Sequence, residues 1–213
     1  FVSDSTRTIE IIAGIMATRL QFGIHKPHHY NLDIDVVNLG NFKRLNFTDQ
    51  EPKLVLVGTR FDKLRKSDKY SEFLGKIGSK GYLSIHGPDY DWLNPLVNPY
   101  WKGFAERSDT IHHQYGAALV LHSQFDLDHA RTSLRIMEPI AAGSIVISDN
   151  NTRVRNYFGD SVLYFDHTQS VDEIAEAVDA HMRWIRSHPK EVNEMTDRAY
   201  NIVKNHFSFI LFE

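Results

Sequence analysis

"SLRIMEPIAAGSIVISDN", residues 133–150, fixes the reading of the whole chain. Ser133, Arg135 and Glu138 crowd one end, a small-residue corner (Ala141-Ala142-Gly143) follows, and a β-branched run closes on Ser-Asp-Asn. The stretch reads as a short helix that starts near Ser133–Arg135 and turns sharply, after the glycine, into a buried strand. A strand of that kind needs parallel neighbours covered by helices. The flanking sequence supplies them.

Working outward, "KLVLVG" (53–58), "YLSIHG" (82–87), "AALVLHS" (117–123), "SIVISD" (144–149) and "SVLYFD" (161–166) are five apolar runs. Helical patterns separate them over 67–81 and 104–116, and two more close the chain over 170–188 and 191–207. Val171, Ile174, Ala175, Val178, Met182 and Ile185 keep one register in the first of that pair. The expected fold is α/β: a Rossmann-like parallel sheet with helices on both faces. Upstream, "STRTIEIIAGIMATRLQF" (5–22) sets Ile9, Ile12, Ala13, Met16 and Leu20 on one helical face, and "DIDVVNL" (33–39) is a short strand candidate. The boundary falls in the polar stretch 40–52. Residues 1–50 are therefore an N-terminal segment, read as the end of a truncated domain or a small extension, and 51–213 are the main domain.

The bulk composition removes several functions. Cysteine is absent, which excludes disulfides and thiolate metal sites and suits a reducing, cytoplasmic location. The formal charge of -3 gives no general attraction to nucleic acid, so any anion site must be a local cluster. No apolar run reaches the roughly 20 residues that span a bilayer, leaving only peripheral membrane contact open. "HKPHH" (His25, His28, His29) lacks a carboxylate at helical spacing, and His112-His113 would point in two directions, so no metal site is expected.

Ligands of open parallel sheets bind at the carboxyl ends of the strands. There the first run leads into "TRFDKLRK", with Arg60, Lys63, Arg65 and Lys66, and the third leads to Ser133, Arg135 and Glu138. Cations beside helix N–H groups suit a diphosphate. A carboxylate one turn further in suits a pair of neighbouring hydroxyls, as in a ribose. The plainer alternatives are an exposed i,i+3 ion pair of Arg135 with Glu138, and a solvated basic turn at 59–66. Tyr90, Trp92, Tyr100 and Trp101 either stack on a base or sugar or pack under a proline-rich loop. Trp184 fits core packing.

These pieces, in this order, resemble the nucleotide-sugar-dependent glycosyltransferases of the GT-B fold, group 1 type. The 133–150 stretch is similar to that family's "N-L-R-x-F-E-A-x-A-x-G" followed by an apolar strand. "LVLVGTR", "LSIHG", "PYWKG", "YGAALVLHS" and "SVLYFDHTQSVDEIAEAV" fall in matching order over about residues 53–207. The resemblance implies a C-terminal donor-binding domain that takes a nucleoside-diphosphate sugar (UDP or GDP type) as substrate, without metal or cofactor. The acceptor, a glycan, lipid or protein, would be held by another domain. It assigns Gly58, Arg60, Lys63, Lys66, Gly87, Ser133, Leu134, Arg135 and Glu138 to donor binding, with Arg60, Lys66 and Glu138 as the catalytic set. Many relatives carry a second glutamate where this chain has Ala130, and Asp126, Asp128 or His129 are the substitutes at hand. Pro139 is also unusual for the motif and should bend the helix or place the residue in its first turns. The alternatives are a sugar-nucleotide epimerase or hydrolase of the same fold, and a non-catalytic scaffold.

Overall fold

A computed structural model of the chain describes residues 45–60, 62–88, 94–104 and 107–207. The expected helix over 5–22, the strand over 33–39, "HKPHH", Tyr90 and Trp92 lie outside the described residues.

Five strands form one parallel sheet: β1 (Lys53–Val57), β2 (Leu83–His86), β3 (Gly116–Val120), β4 (Ile145–Asp149) and β5 (Leu163–Phe165), in the order β2-β1-β3-β4-β5. Seven helices are described: α1 (Asp68–Ser79), α2 (Ser108–Tyr115), α3 (Gln124–Asp128), α4 (Leu134–Ala141), α5 (Thr152–Phe158), α6 (Val171–Ser187) and α7 (Pro189–His206). Side chains along the strands alternate between two cores. Leu54, Leu56, Ala117, Leu119, Ile145 and Ile147 enter one with α1 and α6. Ala118, Val120 and Val146 enter the other with α4 and α5. Helix α7 serves both, giving Val192 and Met195 to the first and Ala199 and Val203 to the second. That two-sided burial is why the runs are unbroken apolar stretches.

The elements start and stop for local reasons. Ser67 caps α1 by accepting from the Tyr70 amide, and Tyr70, Phe73, Leu74 and Ile77 form its buried stripe. Gly78 lets the loop after β2 lie on α1, because a Cβ there would come within 2.3 Å of the Tyr100 ring. Helix α4 ends at the Ala-Ala-Gly corner. Gly143 is left-handed (φ 82), Ser144 N–H bonds the Pro139 carbonyl and Gly143 N–H bonds that of Ile140. This is a Schellman closure, which turns the chain directly into β4. Pro139 sits inside α4 rather than in its first turn, and its missing N–H leaves that helical bond unmade. Two short helices were not anticipated, α3 and α5. Ser123 with Asp126 makes a capping box for α3, and Asn151 caps α5 through the amides of Arg153 and Val154.

The strand order places β2 on one side of β1 and β3 on the other. The chain reverses direction across the sheet between β1 and β3, so their carboxyl ends flank the crevice where ligands of such sheets sit.

Candidate donor site

The turn after β1 forms one wall of this crevice. Gly58 has φ 149 and donates its N–H to the His86 carbonyl, and Thr59 follows with a buried hydroxyl that has no hydrogen-bond partner. Arg60 belongs to the turn but faces inward. It is 4% exposed, with Nε donating to the Arg65 carbonyl (2.8 Å) and Nη2 to Ser71 Oγ (2.6 Å). Arg65 is also buried. It pairs with Asp62 and gives Nη1 to the Thr59 carbonyl at 3.0 Å. Burial raises the Asp62 carboxyl, and the hydrogen bonds and charge of Arg65 outweigh it, leaving a net shift below the usual range. Two arginines thus fix the turn from within, and Lys63 and Lys66 stand exposed outside it.

The opposite wall is the start of α4. Ser133 occupies the N-cap position, yet its side chain makes no capping bond and its hydroxyl is buried without a partner. Arg135 lies against the β1 turn, its Nε 3.3 Å from where a Gly58 Cβ would stand. A Cβ at 58 would require that guanidinium to give by a few tenths of an ångström. Gly58, Thr59, Arg60, Arg65, Leu121 and Arg135 enclose a cavity of about 10 Å³, roughly one water. Burial, then the Arg65 charge, makes Arg135 easier to deprotonate than usual. Glu138, one turn further in, is pushed above the ordinary carboxylate range by burial, against a hydrogen bond from Ser108 and the charge of Arg135. The Arg135–Glu138 turn is therefore largely covered rather than an exposed surface pair.

A polar group that sequence reasoning passed over lies at the end of β3. His122 and Asp149 are both fully buried. Asp149, the last residue of β4, accepts the His122 amide on one oxygen and its Nδ1 on the other, each at 2.6 Å. Nε2 of His122 is buried with no partner. The signal was a histidine and an aspartate each closing an apolar run, but only the β3–β4 register, Val120 opposite Ser148, brings them together.

The remaining candidates divide. Gly87 ties down the loop after β2, bonding Gly103 through N–H and accepting Trp101 Nε1 at 2.9 Å; it does not line the cavity. Tyr100 and Trp101 pack against the core, so the packing reading holds for them. Trp184 is half-buried against that core and stacks on His188. Leu134 is 42% exposed. Asp126 is committed to the α3 capping box, Asp128 accepts from Gln124, and His129 stacks on Phe125. Ala130 has φ 47, the one non-glycine positive φ among the described residues. His112 is buried while His113 reaches the Ala142 carbonyl, so the two rings do diverge. Among the described residues no three metal-ligating side chains converge, and no helix is long and apolar enough to cross a membrane.

A family model described as "Glycosyl transferase-like" matches residues 65–210. None of the curated proteins matches the sequence. Solved structures share the fold. An S. aureus TarM variant, in complex with Fondaparinux, alpha-GlcNAc-glycerol and UDP, aligns at TM-score 0.57 and 12% identity, over 81% of this chain and 36% of its own. Sucrose-phosphate synthase from Thermosynechococcus elongatus aligns at 0.55 and 15%, over 81% of this chain and 47% of its own. The C-terminal domain of a group 1 glycosyl transferase family protein (LpcC) from Francisella tularensis aligns at 0.52 and 14%, over 82% of this chain and all of that domain. The chain thus spans about a third to a half of the two longer proteins.

Proposed function

Because the chain belongs to the glycosyl transferase-like family, we propose that it is the donor-binding half of a glycosyltransferase that takes a nucleoside-diphosphate sugar. One observation carries this: Arg135 from the α4 start meets the Gly58–Thr59 turn at the β1/β3 crossover, with two unpartnered hydroxyls beside them. Arg135, Thr59, Ser133 and the free N–H groups at the start of α4 would bind the diphosphate. Glu138 would take the ribose hydroxyls. Lys63 and Lys66, exposed outside the turn, would draw the anion in. Arg60 is assigned to shaping the turn, in place of direct phosphate contact. A UDP complex among proteins of the same fold supports a uridine donor.

In the reaction, the bond between the anomeric carbon and the diphosphate oxygen breaks, and the diphosphate takes the electron pair. Positive charge develops on the sugar as the acceptor hydroxyl attacks and loses its proton. Fixed cations and N–H groups at the growing phosphate charge lower that barrier, a task a metal ion performs elsewhere. The acceptor and its base come from outside the described residues.

Calorimetric titration with UDP and GDP tests the reading. Arg135→Ala and Glu138→Ala should each weaken binding about ten-fold or more, whereas Arg60→Ala should cost stability before affinity. A folded chain that binds neither nucleotide at millimolar concentration sinks the proposal. That result would favour a non-catalytic scaffold, to which the methyl group at Ala130 also points. Product analysis on a longer protein separates transfer from epimerisation or hydrolysis.

A further inference from the structure

We propose that the cavity between the β1 turn and the start of α4 binds a small monatomic anion, chloride, as the counter-ion of Arg135. Resting on the donor reading above, a nucleoside diphosphate displaces that anion when it binds.

Arg135 lacks a counter-charge. It is half-buried against Gly58, and among the described residues it makes no hydrogen bond and no ion pair. The carboxylates in its neighbourhood are committed elsewhere. Asp62 pairs with Arg65, Asp126 closes the α3 capping box, and burial pushes Glu138 toward its neutral form. A guanidinium stays charged in a protein, and a charge taken from water without a partner is costly. Burial, and then the Arg65 charge, both act against the Arg135 cation. An anion between the two guanidinium groups relieves both. The cavity beside them has a lining that suits one. Its polar side chains are Thr59, Arg60, Arg65 and Arg135, and among the described residues no carboxylate lines it. The Thr59 hydroxyl is buried without a partner. All four side chains can donate, and only the hydroxyl can also accept. A water there finds few acceptors for its own hydrogens, whereas an anion takes a hydrogen bond from every donor. Leu74 and Leu121 belong to the apolar remainder of the lining, a contact that a monatomic ion tolerates better than a strongly hydrated one. Size narrows the choice further. The volume of about 10 Å³ is roughly that of one water. Phosphate and carboxylate anions are too large for it, and chloride is the abundant anion near that size. A diphosphate held in the crevice would place one terminal oxygen on the same donors, so the two anions compete.

Chlorine-35 NMR of the full chain, in sodium chloride at fixed ionic strength, decides it. Bound chloride exchanging with the bulk broadens the signal. The native chain should show saturable broadening, Arg135→Gln should lose it, and UDP should reverse it in the native chain. No saturable broadening overturns the proposal, as does broadening that Arg135→Gln leaves unchanged. Should that variant fail to fold, Thr59→Val replaces it. It keeps the shape and removes one hydrogen bond to the anion, so chloride should bind several-fold more weakly. An unchanged chloride affinity overturns the site. Calorimetric titration with UDP separates the two readings. UDP that binds without displacing chloride overturns the competition and leaves the donor reading intact. A chain that binds chloride through Arg135 but no nucleotide at millimolar concentration supports the anion site and sinks the donor reading.

Discussion

Glu138 shows how much a single side chain can depend on its surroundings. Its carboxyl is pushed above its ordinary value of 4.5, chiefly by burial. The unfolded chain therefore releases this proton at lower pH than the folded one. As pH rises from the unfolded value through the raised folded one, stability falls, and above both the deficit stays constant. Glu138→Gln keeps the shape and an acceptor for Ser108 but cannot ionise. The variant should unfold at higher urea than the native protein at neutral pH, and that advantage should vanish below about pH 4. An equal gain at both pH values would show that ionisation has nothing to do with it. His112 shifts the opposite way: burial lowers its pKa to about 3, so it stays neutral in the fold. Its contribution is present above the unfolded value of 6.5 and is lost as pH falls toward 3.

At the scale of elements, Asn151 joins the start of α5 to the α3–α4 connection. Its Oδ1 accepts from the amides of Arg153 and Val154, which starts α5 at the end of β4. Its Nδ2 donates to the Arg131 carbonyl at 2.8 Å, which holds the α3–α4 connection over that strand end. The connection includes Ala130 in its left-handed conformation and delivers Ser133 and Arg135 to the crevice. Asn151→Ala removes the cap and the hydrogen bond to the part-buried Arg131 carbonyl, a loss of about 2 kcal/mol on urea unfolding. Asn151→Ser, which keeps the cap alone, should lose less. Equal losses in the two variants would mean that the link to Arg131 contributes nothing. The cap was not anticipated from "DNNTRVRNYF", because only Val154 and Phe158 of that short helix are buried and the apolar spacing is too sparse to read. Nor was the tie across to Arg131, because it joins residues 20 apart through the fold.

For the whole molecule, the carboxyl edge is where unspent chemistry collects. Thr59, His122 and Ser133 keep unpartnered polar atoms there. Of the five exposed large hydrophobic residues among those described, Leu96 and Phe104 lie between β2 and β3, Phe125 and Leu134 in the short helices between β3 and β4, and Tyr157 in α5. A ligand that binds only the folded chain stabilises it by mass action. UDP at about one hundred times its dissociation constant should add roughly 2.7 kcal/mol. For a domain of this size that raises the melting temperature by about 5–10 °C. An unchanged melting curve at that saturation would mean that the folded state has no seat for the nucleotide.

Sequence alone determined the parallel α/β architecture, the five strands and the corner at Gly143, because two-sided burial and helix closure are written in adjacent residues. It also marked the edge of the sheet where the proposed site lies, since that follows from strand direction. It could not say which way a side chain turns once there. Arg60 and Arg135 are equally basic on paper, yet Ser71 and the Arg65 carbonyl draw the first inward, while packing against Gly58 leaves the second at the crevice. Nor could it pair His122 with Asp149, 27 residues apart, because that contact exists only in the register of β3 against β4. Burial, charge neutralisation and strand register are sums over distant parts of the chain, and only the folded structure carries them out.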